Sequence, residues 1–404
     1  MSRPGLRARI ESARARREHE GLLRRLRTAD ALPGGRRLVE GGRVLTDFCG
    51  NDYLGLASHR DLLAALTRAA SAEGVGTGAA HLVSGHRREH AALEEELADW
   101  TGRERALVFS TGVMANLGCL QALLGAGSPG RSEAVCVQDK LNHASLIDGA
   151  QLAGAELLRY AHADTDAAAL RLDSRPGKPA LLATDGVFSM DGDVAPLAAL
   201  ARLCAERETL LYVDDAHGLG VLGPEGAGSV AAAGLTAREV PLLMGTLGKA
   251  LGCAGAFIAG DASLIDAIMQ FARTYIYTTA QPAALAAATR AAVHLARTDR
   301  EGRRERLNAH IARFRAGALQ LGLPLMPSTT AIQPLLMGSA ATATEAARSL
   351  EADGFLVVAI RPPTVPQDAS RLRITLSAAH APDRIDALLD ALGRLPRPVE
   401  AAAV

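Results

Sequence analysis

From about residue 106 the chain alternates short apolar runs with helical stretches, and that alternation limits the fold more than any other feature. The runs that suit buried strands are 106–110, 134–138, 180–184, 209–213, 241–246 and 255–259; helical stretches lie between them, at 113–124, 144–153, 195–207 and 261–272. Strands alternating with helices predict an α/β fold with a mostly parallel sheet flanked by helices. In such sheets ligands sit beyond the carboxyl ends of the strands, so the residues just after each run are the first place to look for chemistry. Two later helical patterns (307–320 and 342–353) and two strand-like runs (355–360 and 371–376) predict a smaller C-terminal α+β domain. The expected division is an N-terminal segment over 1–55, a large domain over 56–290 and a small domain over 291–404. In the first segment Leu6, Ile10, Ala13, Leu22, Leu23 and Leu26 mark a docking helix among arginines and interleaved acids.

Composition removes several function classes. The 404 residues carry 44 Lys+Arg and 44 Asp+Glu, and a zero net charge argues against a general nucleic-acid binder. There is no apolar window long enough for a membrane span. The N-terminus lacks the apolar core of a secretory signal, and its acids argue against a transit peptide. Five cysteines (Cys49, Cys119, Cys136, Cys204, Cys253) show no CxxC spacing. They read as reduced thiols of a cytoplasmic enzyme, and no metal is expected.

Only three of the cationic residues are lysines, so each can be weighed. Lys140 and Lys178 lie in polar or turn-like surroundings and keep the ordinary surface reading. Lys249 lies in MGTLGKALGCAGAF, an apolar, glycine-spaced segment just after a strand. Desolvation lowers a lysine's pKa and frees its amine for Schiff-base chemistry. VDDAHG at 213–218 also follows a strand, and there Asp214 suits a protonated pyridine nitrogen and His217 a phenolic oxygen; a helix N-cap with an ordinary histidine is the alternative. STGVMAN at 110–116 places Gly112 and Val113 at a helix start, where backbone N–H groups bind phosphate, although a plain strand–turn–helix junction reads the same. His143 in DKLNHAS and Ser189 in DGVFSMDGD have core and turn readings beside functional ones. It is their joint order that describes pyridoxal 5′-phosphate chemistry: phosphate turn, flat histidine, serine, Asp–His pair, lysine.

With these motifs the chain resembles the α-oxoamine synthases, a group of fold-type I pyridoxal phosphate enzymes. The likeness runs from NDYLG at 51–55 to RLRITLSAAH at 371–380. HLVSGHRREHAALEEELADW, GVFSMDGD, VDDAHGLGVLG and, most discriminating, AIRPPTVP resemble the branch that condenses L-alanine with a pimeloyl thioester in biotin synthesis. The resemblance implies that Lys249 carries the cofactor, Asp214 pairs with its ring nitrogen, His217 and Ser189 lie near its ring oxygen, and His143 stacks on its face. It implies that Gly112, Val113 and Thr246 contact the cofactor, largely at the phosphate. The family often has a bulkier residue where this chain has Val113. Arg373 is implied for the amino-acid carboxylate, Thr364 for the acyl side, and Arg24 (rather than Arg25) for the far carboxylate, with Arg361 as a further carboxylate candidate. Thr278 or Thr279 would reach the phosphate in a neighbouring subunit, so a homodimer with shared active sites is implied, using pimeloyl-CoA or pimeloyl-acyl carrier protein. Three alternatives remain: a sister synthase using glycine with acetyl- or succinyl-CoA, a silent scaffold subunit, and a dinucleotide oxidoreductase. The last lacks the GxGxxG turn that such enzymes use.

Overall fold

The computed structural model describes residues 5–24, 26–125 and 132–396. Its centre is a seven-stranded sheet, ordered Arg105–Phe109, Ala256–Gly260, Leu242–Thr246, Leu210–Asp214, Ala180–Asp185, Val135–Asp139, Glu156–Tyr160. Ala256–Gly260 runs antiparallel to both its neighbours; the pairings from Leu242–Thr246 to Glu156–Tyr160 are parallel. The inner strands are near-continuous apolar runs because helices cover both faces of the sheet. Glu156–Tyr160, an edge strand, is half-buried and carries Arg159. Its polar character hid it from the reading of apolar runs.

Register determines what stands at the carboxyl ends. Asp185 pairs with Asp214, and Asp214 with Met244, so two carboxylates end adjacent strands side by side. Helix Gly112–Gly125 starts two residues beyond the edge strand Arg105–Phe109, and helix Ala144–Ala153 starts just past Val135–Asp139. The ring of His143 caps the second helix by accepting from the Ser145 N–H at 3.3 Å.

The C-terminal part is a three-stranded sheet, Ile332–Gly338, Ser370–Thr375, Val358–Ile360, packed against helices Ala340–Ala352 and Pro382–Gly393. The N-terminal strands Ala29–Leu32, Arg36–Val39 and Arg43–Asp47 form a second small sheet. Phe355–Leu356 joins it by pairing parallel with Thr46 and Asp47. Phe48 is fully buried between Phe355 and His380, so residues 29–48 pack with the C-terminal unit. Helix Leu6–His19 buries none of its residues; Leu6 and Ile10 are exposed on it.

Candidate active site

A recess at the carboxyl ends of the strands gathers eight of the expected residues: Gly112, Val113, His143, Ser189, Asp214, His217, Thr246 and Lys249. The loop carrying Lys249 folds back on itself, with Leu247 N–H donating to Gly255 O and Cys253 N–H to Leu247 O. Gly252 makes this possible: its φ is +65°, and a Cβ there would lie 2.3 Å from Ala57 N. Lys249 Nζ lies 2.9 Å from His217 Nε2, and His217 Nδ1 lies 2.7 Å from the Tyr53 hydroxyl. An ammonium at Lys249 can only donate, which assigns the His217 proton to Nδ1, toward Tyr53. Burial lowers Lys249 to about 8. Burial, reinforced by the Lys249 charge, holds His217 well below the usual histidine range.

Asp214 is buried and held by two donors. Its Oδ2 accepts from Asn116 Nδ2 at 2.7 Å and its Oδ1 from Ala216 N–H at 3.1 Å. Asn116 is itself oriented by Tyr212, whose hydroxyl donates to Asn116 Oδ1 at 2.6 Å. Asp185 sits beside Asp214, and burial, followed by the Asp214 charge, raises it well above the carboxylate range. Asp215 points the other way, into a cage where a Cβ on Gly218 or Gly228 would collide with its carboxylate. It accepts from Ser229 N–H at 2.7 Å, and burial raises it to about 7.

The arrangement suits pyridoxal 5′-phosphate. The buried Asp214, held by Asn116 and Ala216 at the end of its strand, is placed to pair with a protonated ring nitrogen in the recess. The helix start at Gly112 and Val113 presents N–H groups to the same space. His143, exposed to the recess, offers its ring face, while its Nδ1 contacts Ser145 Oγ at 2.7 Å.

Arg373 lies at the rim. It is buried, its Nε donates to Ser189 O at 2.6 Å and its Nη2 to Asn51 Oδ1 at 3.2 Å. Among the described residues no carboxylate pairs with it, whereas Arg371 on the same strand is occupied by Asp191 at 2.5 Å. Arg373 is thus a buried cation available to a substrate carboxylate.

The chain is 55% identical to the 8-amino-7-oxononanoate synthase of Alkalilimnicola ehrlichii over 381 residues, covering 94% of this chain and 96% of that protein. It belongs to the 8-amino-7-oxononanoate synthase family. Residues 43–392 match the model of the aminotransferase class I and II family. A solved structure of the Francisella tularensis 8-amino-7-oxononanoate synthase superimposes with a TM-score of 0.74 at 29% identity, covering 87% of this chain and 97% of that one. A serine palmitoyltransferase bearing a PLP internal aldimine superimposes with a TM-score of 0.90 at 27% identity, covering 96% and 98%. The synthase fold is fold type I, and its cofactor is pyridoxal 5′-phosphate.

The other expected synthase residues lie apart. Arg361 Nη1 donates to Gly21 O at 2.8 Å and borders a separate groove with Arg27 and Arg37. Thr364 and Arg24 are exposed, and Arg25 lies outside the described residues. Thr278 and Thr279 do not line this chain's recess. Sequence reasoning assigned no role to Tyr53, Asn51, Asn116 or Asp185, although NDYLG and STGVMAN were in view. It also passed over His162. His162 Nδ1 lies 3.0 Å from Asp139 and its Nε2 2.8 Å from Asp193, with the ring edge-on to Phe188. Asp139 ends the strand leading to His143 and Asp193 closes the turn holding Ser189, so one histidine braces both loops. Burial pulls the His162 pKa down, but the hydrogen bonds to the two aspartates prevail and raise it to about 10.

Proposed function

We infer that the protein catalyses decarboxylative condensation of L-alanine with a pimeloyl thioester, giving 8-amino-7-oxononanoate, CO₂ and the free thiol carrier, as an acyltransferase of biotin synthesis. The observation that carries this is the pairing of a desolvated lysine amine, 2.9 Å from His217, with the unpaired buried cation Arg373 across the Ser189 turn. When bound, pyridoxal 5′-phosphate supplies an electron sink for a carbanion at the amino-acid Cα. Arg373 binds and orients the alanine carboxylate. Lys249, lowered to about 8, is able to take the Cα proton near neutral pH. His217 aims the amine by accepting from it, and Tyr53 and Asn51 hold His217 in turn. Asn116 and the Ala216 N–H donate to Asp214 and fix its carboxyl group where it would face the ring nitrogen. His143 closes one face of the recess, limiting water.

The acyl thioester approaches from the Thr364 side, with Arg24 or Arg361 meeting its far carboxylate. The thiol carrier is coenzyme A or acyl carrier protein. We propose a homodimer in which Thr278 or Thr279 reaches the neighbouring subunit's phosphate site, acting in the cytoplasm. Neither threonine lines this chain's own recess, and no helix of the described residues is long and apolar enough to cross a membrane. The test is CO₂ release from amino acid with a panel of acyl thioesters. Alanine with pimeloyl thioester is expected to be fastest; faster turnover of glycine with acetyl- or succinyl-CoA would overturn the assignment.

A further inference from the structure

Away from the recess, three histidines from one short stretch converge. One ring nitrogen each of His81, His86 and His90 lies within 4.8 Å of the other two. His81 begins a tight turn, His81–Gly85, and His90 lies in the first turn of helix Arg88–Thr101. Gly85 is what lets the turn close so tightly, since a Cβ there would lie 2.2 Å from Ala79 O. The turn returns the chain so that His81 Nδ1 and His86 Nδ1 face each other at 3.0 Å. Two facing imidazole nitrogens share a single proton, a place where a cation can substitute for it.

The surroundings are those of oriented metal ligands. The His90 Nε2–H donates to Gln281 O at 2.9 Å, while its Nδ1 accepts from Arg87 N–H at 2.9 Å. His86 Nε2 lies 3.8 Å from a Glu94 oxygen, and Glu94 is anchored by Val108 N–H. Metal-bound histidines characteristically give their second nitrogen to such a carbonyl or carboxylate. Stacking on Tyr275, with 5.1 Å between ring centroids and 9° between planes, holds the His81 ring. His81 and His90 are buried while His86 is exposed, so the cluster has an entry side.

We propose that His81, His86 and His90 form a binding site for one divalent transition-metal ion of the zinc class, outside the catalytic recess. Imidazole donors favour Zn²⁺, Ni²⁺ and Cu²⁺ over Mg²⁺ or Ca²⁺. With Zn–N at ~2.0–2.1 Å, tetrahedral ligand nitrogens stand roughly 3.3 Å apart, close to the spacing the first pair already has. His90 completes the set by exchanging the hydrogen bond it accepts from Arg87 N–H for the ion. A fourth position is left to water. The site ties together the two strands of one local crossing: Ala80 bridges to Thr279, and Gln281 O holds His90. An ion there would stiffen the segment carrying Thr278 and Thr279.

The experiment uses tag-free, cofactor-loaded protein stripped with chelator, dialysed, and titrated with ZnCl₂ by calorimetry, with elemental analysis after gel filtration. One ion per chain is expected, and His86→Ala should weaken binding at least about 100-fold. His86 is exposed, so its removal should leave the fold intact, which cofactor absorbance of the variant checks. Absence of stoichiometric zinc in the wild-type protein would overturn the proposal. So would equal binding by the two proteins, which would place the ion on cysteines or elsewhere.

Discussion

The recess around Lys249 and the groove beside Arg361 are built to different standards. In the recess, polar side chains are mostly buried and multiply held: Asp214 has two donors, Asn116 contacts Asp214, Ser145 and Tyr212, and His217 bridges Lys249 and Tyr53. Among the described residues Arg361, at the groove, makes one hydrogen bond, to a backbone carbonyl, and Thr364 and Arg24 are exposed. The difference follows from the task. A proton must be moved between atoms placed to within a fraction of an ångström, whereas the acyl chain proposed for the groove tolerates adaptable contacts. Lesions should therefore be severe in the first region and graded in the second.

The strongest test is Lys249→Ala. It should lower kcat by at least roughly 10²–10⁴-fold from lost proton transfer alone, and borohydride treatment should no longer attach cofactor to the chain. Near-normal turnover would erase the contrast. Next, Arg373→Ala should lower kcat/KM for alanine roughly 10–150-fold, from a hydrogen bond to a charged group worth about 1.5–3 kcal/mol. The same variant should leave discrimination between acyl thioesters unchanged in competition assays.

His162 sharpens the comparison on the stability axis. Its folded pKa is raised to about 10 from an ordinary 6.5. The stability this gives is complete below pH 6.5 and is lost as pH rises through about 10. The Tm advantage of wild type over His162→Gln should thus be largest near pH 6 and shrink by pH 10. A pH-independent difference would mean the ring acts only by packing on Phe188. Tyr212→Phe leaves Asn116 Oδ1 without its donor inside the core and should cost about 1–3 kcal/mol in denaturant unfolding. The smallest effect belongs to the groove: Arg361→Ala should raise KM for the pimeloyl thioester a few-fold, with kcat and alanine KM unchanged.

The same contrast explains what was legible in the sequence. Strands such as Leu210–Asp214 announce themselves because both faces are buried and the whole run is apolar. Lys249, Asp214 and Ser189 stand immediately after such strands or in short distinctive motifs. Tyr53 and Asn116 act through partners 164 and 98 residues away, on His217 and Asp214, and periodicity carries no information about such pairings. The N-terminal strands were hidden for a related reason: Arg36–Val39 and Arg43–Asp47 are short and partly exposed. Their pairing with Phe355–Leu356 is a tertiary event.

The side-by-side ends of strands Ala180–Asp185 and Leu210–Asp214 carry one last consequence. A fold that buries two acidic side chains next to each other gives up some stability that a bound cofactor can return. A cofactor that binds the folded chain and not the unfolded one shifts the folding equilibrium by mass action. At cofactor concentrations about 100-fold above the dissociation constant, the folded state gains about 2.7 kcal/mol. Removing the cofactor would therefore lower the folded fraction as well as the activity of each molecule.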